Sequence, residues 1–337
     1  MRAFVSGIAG LKNFMTSRKE YKAMELKSPK EILVRSFFHS IQKQILQKAI
    51  NIKPDCILAE TSPVGYFSLM AKNNLNIPLI TDVHGLMGEE SKIQGSRYTQ
   101  IMSNVEINAF LGSDYLLAVS NPMKRQICLK YGVREDQILV VPNGGNIQPF
   151  QSHFDLPLKV IFAGNFAVYE RISDYLDIAK ALEHNSSFAF FLMGDGIQKR
   201  DLLKRIRKEN IPIKFLGLKT KEEALHFFSK MQVGVLTSTS GLEREVAFPI
   251  KMLDYMSCGL PVIAPKIGEW GELIEKENCG IAVEKNTIAE FITALFSLCD
   301  KQEWEKKSLN AKKCIERKYN WDAVLSPLDI LIENMTI

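Results

Sequence analysis

The sequence lacks paired cysteines: its six, Cys56, Cys128, Cys258, Cys279, Cys299 and Cys314, are scattered and form no C-x-x-C motif. That spacing excludes a zinc ribbon or a disulfide framework and suits a reducing, cytoplasmic compartment. No apolar run approaches the ~18 residues that a membrane-spanning helix requires. The opening MRAFVSGIAGLKNFM is broken by Gly, Lys and Asn, with no small-residue cleavage site behind it, so no signal peptide is expected. Its basic residues are not interleaved with exposed-looking aromatics, and no nucleic-acid partner is expected. Short-period repeats and low-complexity tracts are also missing.

What is present is enough chain for two cores. At 337 residues, with 46% hydrophobic and 24% charged side chains, the composition is that of an ordinary globular protein of two domains. The net charge of +5 is unevenly spread. Residues 1–50 carry ten Lys/Arg against three Glu, and the remainder carries 33 basic against 35 acidic residues. A surplus confined to one end suits a local surface for anionic lipid or polymer, or simply a solvated face. In the same stretch Ile32, Leu33, Phe37, Ile41, Ile45 and Ala49 recur at helical spacing, with Arg35, His39, Gln42 and Lys43 between them. Such an amphipathic helix either lies on a membrane interface or covers one face of a sheet.

From residue 54 onward, short β-rich runs alternate with helical periodicity. Strands are expected at Cys56–Ala59, Pro78–Ile80, Tyr115–Val119 and Ile138–Val141, and the turn-rich stretch 142–157 reads as a hinge. The alternation then restarts at Lys159–Ala163, Phe188–Met193, Ile213–Leu216, Val233–Leu236, Pro261–Ala264 and Gly280–Val283. Repeated β-then-α patterning means parallel strands with helical crossovers. The expected fold is α/β: two doubly wound, Rossmann-like domains, 1–150 and 151–320, with 321–337 as a helix returning to the first. A ligand is expected in the cleft they face, at the carboxyl ends of the strands.

The segment EREVAFPIKMLDYMSCGLPVIAP, residues 243–265, has chemical potential of its own. Pro249 at a helix start leaves the amides around Phe248, Pro249 and Ile250 pointing out of the first turn, where phosphate is favoured. Gly259 can end that helix, and the next buried strand follows. Glu243, Glu245 and Asp254 are placed to hold sugar and ribose hydroxyls. Taken alone, the pattern is equally that of a plain helix-strand unit.

The same segment resembles the donor-site signature of the GT-B glycosyltransferases of family 4, in which two Glu stand eight positions apart within a helix that runs into a Gly-x-Pro-Val turn. That resemblance implies that Asp254 binds the nucleotide ribose and that Lys251 matches a family variant. The first acid position holds Val246, and Glu245 is the nearest substitute for the contact to the donor sugar. VIFAGNFAVYER (160–171) resembles the first strand and loop of the nucleotide domain, with Gly164 in the turn. The family's diphosphate-gripping Arg and Lys there correspond to Asn165 and Arg171. FFLMGDG (190–196), containing Gly194 and Asp195, and FLGL (215–218), containing Gly217 and Leu218, resemble the loops that flank the nucleobase. WGELIEKENCGIAVE (270–284) resembles the unit that follows the signature. In the first domain, residues 118–150 resemble the last strand, helix and hinge. TDVHGLMGEE (81–90) resembles the loop whose His, here His84 before Gly85, reaches the donor sugar in some members.

The resemblance covers roughly residues 55–320. It implies a hexosyl-type transferase that moves a sugar from a UDP- or GDP-linked donor to a glycan or lipid-linked acceptor, retaining and metal-independent, with no cofactor. The sequence contains no D-x-D triplet, which argues against the GT-A fold. Cytoplasmic location is expected, with residues 1–50 in peripheral contact with anionic lipid at the inner membrane face. One departure is the start, where no strand and Gly-rich loop are legible and Gly7 and Gly10 are poor substitutes. The first domain therefore reads as shortened, through trimming, a misassigned start or degeneration. Two alternatives follow: a non-catalytic glycosyltransferase-like subunit supporting a partner enzyme, and a GT-B-fold sugar-nucleotide 2-epimerase.

Overall fold

The computed structural model describes residues 3–5, 29–93 and 95–335, with side chains from residue 36 onward. The chain divides into two compact units. The first runs to Val140 and includes Leu331 onward; the second is Val141–Ile330.

In the first unit β1 (Ala3–Val5), β2 (Cys56–Glu60), β3 (Leu79–Val83), β4 (Tyr115–Ala118) and β5 (Ile138–Val140) form a parallel sheet in sequential order. The helices are α1 (Pro29–Ile52), α2 (Ser62–Leu75), α3 (Met87–Ile93), α4 (Thr99–Gly112) and α5 (Asn121–Tyr131). Their ends follow local chemistry. The Ser120 hydroxyl accepts a hydrogen bond from Met123 N–H at 3.1 Å to open α5, and Gly132 at φ +70° closes it. A starting strand does exist: Ala3 pairs with Cys56 in β1, which corrects the sequence expectation that no such strand was present. Whatever loop follows it, Gly7 and Gly10 included, lies outside the described residues.

The basic helix α1 packs its apolar side on its own unit. Ile45 and Ala49 are buried against Ile57, Val64, Phe67 and Leu79, and Phe38 sits edge-on to Phe67 at 5.1 Å. Lys43 and Lys48 are exposed; Arg35 lies outside the residues whose side chains are described. The period of the apolar positions thus serves the core of this unit, as the scaffold reading requires.

The second unit is a six-stranded parallel sheet of β6 (Leu158–Asn165), β7 (Phe188–Asp195), β8 (Ile213–Gly217), β9 (Val233–Val235), β10 (Val262–Pro265) and β11 (Gly280–Val283), in the order β11-β10-β9-β6-β7-β8. Strand order reverses between β6 and β9, and a crevice opens at the carboxyl ends of the strands at such a reversal. The helices are α6 (Ile172–Ala181), α7 (Lys199–Glu209), α8 (Lys221–Phe228), α9 (Leu242–Glu245), α10 (Ile250–Ser257), α11 (Gly268–Lys276), α12 (Ile288–Ser297), α13 (Lys301–Cys314) and α14 (Trp321–Met335), whose residues from Leu331 on belong to the first unit. Val160, Phe162, Tyr175, Leu192, Val233 and Ile263 are fully or almost fully buried in its core. The stretch 142–157 holds no helix or strand yet is tied to this unit: Ser152 N–H donates to Cys258 O at 2.9 Å and Gly145 N–H to Tyr319 O at 2.6 Å. Two α/β units on parallel sheets bear out the Rossmann-like architecture. Among the described residues no helix is long and apolar enough to cross a membrane.

Candidate functional site

The loops after β6 and β9 meet at the reversal. Thr237 Oγ1 donates to Glu170 O at 2.6 Å and Thr239 N–H to Tyr169 O at 2.8 Å, so the two loops form one surface. Two glycines let that surface approach the neighbouring elements closely. Gly164 has φ +143°, and a Cβ there would sit 3.0 Å from Lys251 Nζ. Gly194, at φ +135°, lies so close to the β6 backbone that a Cβ would fall 1.9 Å from Gly164 O. Only glycine meets both demands.

Lys251, in the first turn of α10, points its ammonium at this surface. Nζ donates to Glu170 Oε2 at 2.5 Å and lies 4.7 Å from the centroid of Phe162. Burial pulls the Lys251 pKa below its ordinary value, against the Glu170 carboxylate, which raises it, while nearby Arg244 pulls it down further. Pro249 is the N-cap of α10, and Asn143 Nδ2 donates to Phe248 O at 2.5 Å, fixing the chain as it enters the helix. The first-turn amides of Ile250 and Lys251 are ones a helix cannot satisfy itself. Phe248 is buried and Ile250 exposed. One turn on, Asp254 is buried, its Oδ1 accepting from Lys221 Nζ at 2.5 Å. Burial raises the Asp254 pKa, and the Lys221 charge offsets part of that rise. Gly164, Lys251 and the α10 start thus come together, with Asp254 on the same helix.

Other sequence candidates lie elsewhere or point elsewhere. Arg171 adopts φ +46° before α6, and its guanidinium pairs with Asp174. Asn165 is exposed. Asp195 is held by Gly196 N–H at 2.8 Å and by Lys199 Nζ at 2.6 Å, and the lysine keeps its carboxyl below the ordinary range. Gly217, at φ +73°, precedes Leu218, which is 71% exposed. Val246 is fully buried, so the first acid position of the signature carries a buried apolar side chain. Glu245 is exposed, whereas Glu243, two residues earlier, is buried and accepts from Thr239 Oγ1 at 3.0 Å. Glu170, Lys221 and Arg244 were missed by sequence reasoning. Glu170 and Lys221 meet partners 81 and 33 residues away, and Arg244 packs on Tyr169 from a different loop, so no local pattern signals them.

In the first unit, His84 follows β3. Its Nε2 is 3.2 Å from Asp82 Oδ2. The hydrogen bond to Asp82 raises the His84 pKa, burial lowers it, and the charges of Asp82 and Glu60 raise it again. Glu60 is Asp82's register partner on β2, which places both carboxylates at the carboxyl ends of their strands. The turn after His84 is pinned by buried Glu106, which accepts from Met87 N–H at 2.6 Å and from Tyr131 Oη at 2.5 Å.

Two family models match: "Glycosyltransferase Family 4" over residues 18–148 and "Glycosyl transferases group 1" over residues 157–301. The chain is 26% identical over 263 residues to an uncharacterized glycosyltransferase of Methanocaldococcus jannaschii, covering 77% of this chain and 69% of the relative. It is 25% identical over 288 residues to an Escherichia coli UDP-Gal:alpha-D-GlcNAc-diphosphoundecaprenol alpha-1,3-galactosyltransferase, covering 80% and 72%. Among solved structures, Anabaena HepE in complex with UDP superposes with a TM-score of 0.72 at 17% identity over 87% of this chain and 82% of that one. Sucrose-phosphate synthase from Thermosynechococcus elongatus superposes with a TM-score of 0.75 at 16% identity, over 90% and 79%. With the fold, the signature helix and both family models in agreement, this chain belongs to family 4 of the GT-B glycosyltransferases.

Proposed function

We propose that the protein moves a hexosyl group from a UDP- or GDP-linked donor to a glycan or lipid-linked acceptor, with retention and without a metal. The observation that carries this reading is the Lys251 ammonium at the start of α10, desolvated and facing the loops at the strand-order reversal. Breaking a sugar–phosphate bond requires stabilising the departing diphosphate. A fixed cation and first-turn helix amides in a partly dry site do this without reorganising. Asp254 is the proposed ribose acceptor, and Gly164, Gly194, Asp195, Gly217 and Leu218 frame the nucleotide. His84 and Glu245 are the proposed contacts to the donor sugar, and Arg171 supplies further positive charge. The lipid-linked choice is supported by the E. coli relative, whose name specifies a diphosphoundecaprenol acceptor. It also fits the exposed lysines of α1, which suit the anionic inner face of a cell membrane.

A second reading, a non-catalytic subunit that supports a partner glycosyltransferase, is favoured by one observation: buried Val246 stands where the signature has an acid. Incubating the purified protein with UDP- and GDP-hexoses, and following free sugar and nucleoside diphosphate, separates the two. Donor turnover supports the enzyme. Tight nucleotide binding with no turnover, alone or with acceptor lipid, supports the subunit.

A further inference from the structure

We propose that Arg244 is a phosphate-binding residue of the donor site, supplying the guanidinium charge that Asn165 cannot. The proposal rests on the nucleotide-sugar reading above and adds a residue that the signature does not assign.

Arg244 is only 9% exposed. A guanidinium keeps its charge at any accessible pH, so it cannot escape burial by losing a proton. Buried charges are normally paired, because an unpaired one forfeits its hydration. Among the described residues Arg244 has no carboxylate within ion-pair distance. Among the described residues its one side-chain hydrogen bond runs from Nε to Ser238 Oγ at 2.8 Å, and its Cζ lies 5.0 Å from the centroid of the Tyr169 ring. The two terminal nitrogens make no hydrogen bond to described residues. Both neighbouring buried acids are committed: Glu170 accepts from Lys251, and Glu243 accepts from Thr239.

Position then gives the missing partner its identity. Ser238 lies in the loop after β9 and Tyr169 in the loop after β6, so Arg244 is clamped between the two loops of the strand-order reversal. The Arg244 carbonyl is held by Trp270 Nε1–H at 3.0 Å, which fixes the backbone of this turn. Arg244 is also near enough to Lys251 to depress that lysine's pKa. Lys251 is matched by Glu170 and Glu243 is turned to Thr239, so among the described residues no carboxylate compensates the Arg244 guanidinium charge. An anion with several acceptor oxygens neutralises it, and a guanidinium fork matches the geometry of a phosphate.

Calorimetry with inorganic pyrophosphate, with UDP and GDP, and with uridine and guanosine tests this. Arg244→Gln should weaken pyrophosphate and the matching nucleoside diphosphate by about 10- to 100-fold, the range of charge-assisted hydrogen bonds, and leave the nucleoside unchanged. Arg244→Lys keeps the charge without the fork and should fall between Arg244→Gln and the wild type. If Arg244→Gln fails to fold, Arg244→Lys alone decides: a loss confined to the phosphate-bearing ligands supports the proposal. Unchanged phosphate affinity, or equal losses for nucleoside and diphosphate, overturns it. A wild-type protein that binds pyrophosphate through Arg244 but binds neither nucleoside diphosphate supports the residue and refutes the nucleotide reading. Binding of neither ligand class refutes both.

Discussion

Glu170, in the loop after β6, and Lys251, in the first turn of α10, form a buried ion pair of 2.5 Å although they are 81 residues apart in the chain. Removing one partner strands the other, so Lys251→Met should cost about 3–5 kcal/mol in urea unfolding, and adding Glu170→Gln should recover most of it. The Lys251 pKa is lowered from 10.5, so between the lowered value and 10.5 the unfolded chain binds more protons than the folded one. Stability from this group therefore rises with pH across that window, and the slope should vanish in Lys251→Met. Diphosphate affinity should fall as pH climbs through the lowered value, because the neutral amine no longer attracts the anion.

The nucleotide contacts separate by ligand. Asp254→Ala should weaken nucleoside and nucleoside diphosphate alike, by ~1.5–3 kcal/mol for a lost charged hydrogen bond. Unchanged nucleoside diphosphate affinity in calorimetry removes Asp254 from the site. Lys251→Ala and Arg171→Ala should instead hit the diphosphate harder than the nucleoside, with Arg171→Ala the milder because its guanidinium is already held by Asp174. Added magnesium should rescue neither.

His84 should titrate above an ordinary imidazole, and Asp82→Asn should bring its pKa down. The sign follows from the pair: stabilisation is fully present below 6.5 and is lost as pH rises through the raised value. Histidine NMR titration reads the shift directly. An unchanged His84 midpoint in Asp82→Asn means that Asp82 does not set it.

Gly194→Ala tests the close approach of β7 to β6. A Cβ 1.9 Å from Gly164 O and a strained φ of +135° should together cost roughly 1–3 kcal/mol or more and weaken nucleotide binding. A variant that melts with the wild type would show that the loop has room to move.

The exposed lysines of α1 predict reversible binding to anionic vesicles, weakening with salt as the Debye length falls to ~8 Å at physiological ionic strength. Each basic residue near such a surface contributes ~1 kcal/mol, so Lys43→Gln with Lys48→Gln should reduce co-sedimentation without unfolding the chain. No binding at low salt leaves α1 as scaffold alone.

The amino-acid sequence by itself determined the secondary structure and the fold class. Strand and helix periods and turn glycines act over a few residues, so ten of the eleven strands among the described residues were legible as apolar runs; β1 was not, because three residues carry no period. The signature's resemblance marked Lys251 and Asp254 in the same local way. Tertiary structure decided what those groups face. Lys251 meets Glu170, Asp254 meets Lys221 from 33 residues away, and Arg171 turns to Asp174 in the first turn of the helix that follows it. It also chose between two acids two residues apart, burying Glu243 and exposing Glu245, which no spacing rule separates. The physical reason is strand order: which loops become neighbours depends on the reversal between β6 and β9, a property of the whole sheet that no local stretch of sequence encodes.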